Sequence, residues 1–172
     1  SWTVSTIDID GDGDDDLFFT DMVSSKPNRL FKNNGSGVFT AVTTGAIATD
    51  MAKSMSCSWA DFDNDGDLDV VVANNTGKPC FLYVNNGDGT LSKNTSAAFT
   101  KEVGYYHHAS WVDVDNDGQL ELYLGNYWPT RLNELWRRGS DGTWNLWSDN
   151  LLSQISGTAT GITWSDYDND GY

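Results

Sequence analysis

Positive charge is what this sequence has least of for its size. Ten Lys and Arg stand against 25 Asp and Glu, for a net charge of -15. That balance excludes a nucleic-acid partner, because the phosphates would be repelled. Long apolar runs are also missing: none approaches the roughly 18 residues of a membrane span, so no span is expected. There is no start Met and no signal-peptide-like segment, and the chain reads as a mature or excised piece. Cys57 and Cys80 are the only cysteines, too few to mark a disulfide-stapled scaffold, although they do not exclude one bridge. No helical period runs through the chain, and no HExxH, GxSxG, Walker or Rossmann pattern is present. We therefore read the chain as all-β and not an enzyme. Hydrophobic residues at 38% and aromatics at 13% predict a folded domain with a sizeable core.

The acid is concentrated rather than spread. Residues 8–16 carry six acidic side chains, 61–69 five, 113–121 four and 166–170 three, which leaves seven acids facing ten cations elsewhere. The clusters start at Asp8, Asp61, Asp113 and Asp166, at intervals of 53, 52 and 53 residues. A fixed period of this length marks repeated supersecondary units. SWADFDNDGDLDVVVAN aligns with SWVDVDNDGQLELYLGN, STIDIDGDGDDDLFFTD and the shorter TWSDYDNDGY. Downstream, NRLFKNNGSGVF matches CFLYVNNGDGTL and NELWRRGSDGTW.

One unit reads as four short strands. MSCSWAD (55–61) is the first, the valine-rich segment 68–74 the second, CFLYV the third, and NNGDGT turns a hairpin into the fourth. LNELWRR could pass for a helical turn by composition, but its alignment with LFKNN and LYVNN predicts strand. Four strands per unit predict a β-propeller of four-stranded antiparallel blades. A parallel β-helix is the alternative, with shorter coils and without such hairpin turns. The expected units are blade 1 at 1–52, blade 2 at 53–104, blade 3 at 105–156, and the first strand and truncated loop of a fourth at 157–172. Propellers close with four to eight blades. The chain is thus expected to be part of a longer propeller, or else a subunit that assembles through its open blade edges, with roughly residues 158–168 completing a neighbour's sheet.

In DFDNDGDLD the acids occupy positions 1, 3, 5 and 9, with glycine at 6. Hard oxygen ligands on alternate positions of a tight loop suit calcium, and the glycine permits the turn. A helical calcium loop would place a bidentate Glu at position 12. Here Phe19, Val72 and Leu124 stand there, and the last acid comes at position 9. The pattern predicts a strand-loop-strand calcium site followed by a buried strand.

These loops, the L-Y-x-N-N-G-D-G-T hairpin and the period together resemble the FG-GAP/VCBS family, the calcium-binding blades of integrin α-subunit propellers and of many secreted bacterial proteins. The resemblance implies side-chain ligands Asp8, Asp10, Asp12 and Asp16 in the first loop, Asp61, Asp63, Asp65 and Asp69 in the second, and Asp113, Asp115, Asp117 and Glu121 in the third. It implies backbone carbonyl ligands at Asp14, Asp67 and Gln119, and a truncated fourth loop with Asp166, Asp168 and Asp170. Three complete calcium sites and one truncated site are expected. Glu121 departs from the usual Asp, and its longer side chain alters the third site's geometry.

The resemblance implies a secreted, cell-surface or periplasmic location and recognition of a protein or glycan. The alternatives are a non-catalytic propeller segment of a larger secreted polysaccharide-active enzyme and a structural subunit of a surface fibre. Trp59, Trp111 and Trp164 each stand two residues before a loop, with Thr6 at the same place in the first repeat, and are expected to pack between blades. Tyr105, Tyr106, Tyr127, Trp128, Trp136, Trp144 and Trp147 enrich the third unit, either as inter-blade packing or as a contact surface. His107 and His108, adjacent on a strand, are expected on opposite faces. Asn34, Asn74 and Asn94 lie in N-x-S/T sequons.

Overall fold

The computed structural model describes residues 2–165. Among the described residues twelve strands form three separate antiparallel sheets, each a four-stranded meander in chain order. The first sheet holds β1 (Val4–Ile7), β2 (Asp16–Phe19), β3 (Arg29–Asn33) and β4 (Phe39–Ala41). The second holds β5 (Lys53–Ala60), β6 (Asp69–Asn75), β7 (Phe81–Asn85) and β8 (Leu91–Asn94). The third holds β9 (Tyr106–Val112), β10 (Glu121–Asn126), β11 (Glu134–Arg138) and β12 (Trp144–Leu146). Helix among the described residues is confined to single turns of three or four residues, and none is long and apolar enough to cross a membrane. The sheets do not close on one another, so the molecule is a partial propeller. LNELWRR lies in strand β11 as its repeat alignment requires.

The valine-rich strand shows how the sheets stack. Every residue of β6 is buried, because successive side chains point to opposite faces of a strand and both faces of the second sheet are covered. Val70 and Val72 join Ile9, Phe18, Ile47, Phe81 and Tyr83 in a core between the first and second sheets. Val71 and Ala73 join Phe62, Leu82, Phe99, Trp111, Trp136 and Trp144 in a core between the second and third. The first strands of neighbouring sheets touch directly: Ala109 N donates to Ser56 Oγ at 2.9 Å and Trp111 N to Ser58 Oγ at 3.2 Å.

The repeated tryptophans serve these interfaces. Trp59 meets the Phe18 ring edge-on at 5.5 Å, Trp111 stacks on Phe62 at 5.3 Å, and Trp164 meets Tyr123 edge-on at 5.6 Å. The third-unit aromatics divide between two roles. Trp136 and Trp144 are core, whereas Tyr127 and Trp128 are 41% and 50% exposed.

Three of these readings gain detail in three dimensions. The two histidines do not alternate simply, because β9 carries a bulge where the register passes from Gly125↔His108 to Asn126↔Tyr106. The extra residue breaks the two-residue alternation, and both residues line one cavity of about 460 Å³ with Ser5, Met55 and Cys57. Neither joins a metal-capable cluster among the described residues. Asn74 is fully buried, accepting from Ser54 Oγ and donating to Pro79 O, both at 2.8 Å, so its sequon is a structural clamp and not a glycan acceptor. The expected fourth unit lies partly outside the described residues, and its described part, residues 158–165, carries no ladder. They rest on the third sheet through Ala159 N to Asn126 O and Trp164 Nε1 to Ser110 Oγ, both 3.0 Å. A ladder needs a second strand, and the described residues provide none on that side. Cys57 and Cys80 are both free thiols, and burial raises the pKa of each.

Candidate metal centres

Each acidic loop leaves a sheet's first strand and ends where its second begins. Two residues per loop adopt positive φ: Gly11 (70°), Asn64 (62°) and Asn116 (56°) at position 4, and Gly13 (91°), Gly66 (98°) and Gly118 (84°) at position 6. Glycine and asparagine tolerate that region better than other residues, which accounts for the G-D-G and N-D-G spelling. The first aspartate then ties the turn. Asp61 accepts from Asp65 N at 3.0 Å and Gly66 N at 2.9 Å, and Asp8 and Asp113 do the same in their loops. Position 5 accepts from position 7, as in Asp65 Oδ1 from Asp67 N at 3.0 Å.

Position 9 is the buried end of each cluster. Asp69 Oδ1 accepts from Asn85 N at 2.8 Å, and Asp16 accepts from Asn33 N at 2.7 Å and Ile9 N at 3.2 Å. Glu121 accepts from Val114 N at 3.0 Å. Asn33 and Asn85 brace the loop carboxylates, a place that motif reading overlooked although the repeated N-N-G spelling of both hairpins was its signal. Asn85 also crosses to the neighbouring repeat, its Nδ2 donating to Ile9 O at 2.8 Å.

The carboxylates converge. In each of the triads Asp8/Asp10/Asp12, Asp61/Asp63/Asp69 and Asp113/Asp115/Glu121, one oxygen per residue lies within 4.8 Å of the others. These clusters could bind a metal ion. Asp16, Asp65 and Asp117 stand beside the triads with their carboxylates taken up by backbone amides. The side chains of Asp14 and Asp67 lie against the hairpin glycines Gly35 and Gly87, where an added Cβ would collide with the carboxylate. In the third repeat Gln119 and Ser140 occupy those two places, and Arg138 stands where Asn33 and Asn85 brace the first two loops. Asp166, Asp168 and Asp170 lie outside the described residues.

A cation fits this arrangement physically. Two like charges 4 Å apart repel by about 4 kcal/mol at an effective dielectric of 20. Asp10 Oδ1, Asp63 Oδ1 and Asp69 Oδ2 are buried without any hydrogen-bond partner, and a buried unpaired carboxylate oxygen is costly unless a cation meets it. Protonation is the metal-free chain's way out. Burial pushes Asp69 up to about 7, with Asp63 and Asp65 adding repulsion and the Asn85 amide opposing. Burial likewise pushes Glu121 up to about 7 and raises Asp16 and Asp63.

A pH dependence follows for the chelated chain. Unfolded Asp and Glu titrate near about 4, so Asp69 and Glu121 bind their protons more tightly when folded. Their contribution to stability is complete below pH about 4 and is lost as pH rises through about 7. Thermal melts in excess chelator should therefore show a lower melting temperature at pH 8 than at pH 5.5. A flat or rising profile would contradict the burial of these carboxyls.

Fold and site together define a repeat-built propeller segment with acid loops between the first two strands of each blade. The chain belongs to the family of FG-GAP-like repeats, whose model matches residues 8–72 and 61–124. It is similar to cartilage acidic protein 1 of Xenopus tropicalis (27% identical over 153 residues) and of Homo sapiens (29% over 161), each alignment covering 84% of this chain. Those alignments cover 24% and 23% of the two relatives, so the chain spans about a quarter of the length of the curated relatives it matches.

Proposed function

We propose that the chain is a calcium-binding extracellular module that presents propeller surfaces for adhesion or recognition of a protein or glycan. The observation that carries calcium binding is the set of orphaned, buried carboxylate oxygens aimed into two of the loops. All-oxygen donor sets on alternating positions favour a hard divalent cation of calcium's size and flexible coordination. The ligands are proposed as Asp8, Asp10, Asp12 and Asp16, then Asp61, Asp63, Asp65 and Asp69, then Asp113, Asp115, Asp117 and Glu121, with the carbonyls of Asp14, Asp67 and Gln119 completing the three sites. Extracellular modules of this kind bind calcium in the range of about 10⁻⁴ to 10⁻³ M, which matches an extracellular setting and would leave the sites empty in a cytosol. Membership of the FG-GAP-like family and the name of the relatives, cartilage acidic protein, support that setting.

Calorimetric titration of calcium into the chelator-stripped chain tests this reading. Saturable binding is expected, with the third loop weakest, because Glu121 reaches further than Asp and Arg138 replaces the bracing asparagine. The absence of heat and of any calcium-dependent change would overturn the proposal.

A further inference from the structure

Successive sheets enclose the same cleft twice, beside the acidic loop of the earlier sheet, and the two copies differ. In the first, Lys32 fills the space: its Nζ pairs with Asp10 Oδ2 at 3.0 Å, and Gly89 of the next hairpin closes over both residues. The remaining cavity is about 260 Å³ and largely apolar, with Leu30, Val42, Ile47 and Leu91 in its wall. In the second copy Val84 stands in place of Lys32 and Asp63 in place of Asp10. The shorter side chain leaves about 510 Å³ open, within the roughly 300–1,000 Å³ typical of small-molecule sites.

The chemistry of the second cleft changes with its size. Arg138 enters from the opposite wall, its guanidinium 5.5 Å from the centre of the Phe62 ring, which is itself stacked on Trp111. Asp63 and Arg138 share the cleft with Ser96 and Thr143. An anion would meet the loop carboxylates, and a cation would meet Arg138. A hydroxyl group avoids both penalties, because it donates to the acid and accepts from the guanidinium at once.

From this pairing we propose that the cleft between the second and third sheets binds a neutral sugar unit of a glycan, held between Asp63 and Arg138. The inference rests on the recognition reading above and names its site and ligand class. Asp63 belongs to both the second metal loop and the cleft wall, so calcium in that loop fixes one half of the sugar site.

The test is saturation-transfer NMR on the calcium-loaded chain with a panel of methyl glycosides of neutral monosaccharides, with calcium calorimetry on the same sample. Saturable binding of at least one glycoside is expected. Val84→Lys, which rebuilds the filled cleft of the first interface, should abolish it while calcium binding at the first and third loops persists, since the new ammonium would pair with Asp63 as Lys32 pairs with Asp10. Arg138→Ala should weaken it by about tenfold or more, as expected for loss of a charge-assisted hydrogen bond. Glycoside binding that survives Val84→Lys would overturn the inference, as would no glycoside binding or binding only of a lysine-rich peptide. Intact calcium binding alongside either of the last two results would leave the functional proposal standing, whereas loss of calcium binding would remove that proposal itself.

Discussion

Stripping calcium is expected to lower the melting temperature of the chain by roughly 15 °C or more. A ligand that binds only the folded state stabilises it by about 2.7 kcal/mol per site at a hundredfold excess over its dissociation constant. Each kcal/mol moves the midpoint of a domain of this size by roughly 2–4 °C, and three sites act together. The structural cause is local to Asp61, Asp63 and Asp69 and their counterparts: carboxylate oxygens within 4.8 Å of one another, some of them buried with no donor. Differential scanning calorimetry in 10 mM calcium and in excess chelator measures the shift directly. Equal midpoints would mean that the loops are held by their backbone hydrogen bonds alone and that no metal contributes to the fold.

The second large effect belongs to Asp69. It is fully buried, its Oδ1 is held by Asn85 N, and its Oδ2 has no partner. Asp69→Asn keeps an acceptor for the Asn85 amide and removes the charge that a cation needs. In calcium the variant should bind one ion fewer and melt roughly 5–10 °C below the parent, the share of one site. In chelator at pH 8 the order should reverse or vanish, because the parent must ionise a carboxyl whose pKa burial has pushed up to about 7, and the amide has no such cost. A variant equally destabilised with and without calcium would show that Asp69 acts in packing alone. Asp65→Asn is a useful contrast, because that carboxylate is exposed and already accepts from Asp67 N, so its chelated melting point should barely move.

Fold class and loop identity were legible in the sequence because both are written in local spacing. The interval between Asp8, Asp61 and Asp113, the asparagine or glycine at position 4 and the N-G hairpins each encode a backbone conformation within a few residues. The valines at 70–72 announced a buried strand. What the sequence by itself determined is therefore the repeated unit: four strands, one acid loop and one hairpin.

Only the tertiary structure decided which residues of different repeats would meet. The bulge that places His107 and His108 along one cavity depends on pairing between β9 and β10, and no composition signal marks it. Asn74 reads as a sequon until Ser54 and the Pro79 carbonyl close around its amide. Asn85 braces its own loop at Asp69 and the preceding one at Ile9, a contact spanning 76 positions in the chain. The exchange of Lys32 for Val84 looks like an ordinary substitution between repeats, and it becomes an open cleft only because Arg138 and Asp63 arrive from neighbouring sheets. Local geometry repeats with the sequence, whereas the partners across each interface are set by the stacking of whole sheets, where one side chain's length decides whether a space is filled or left open.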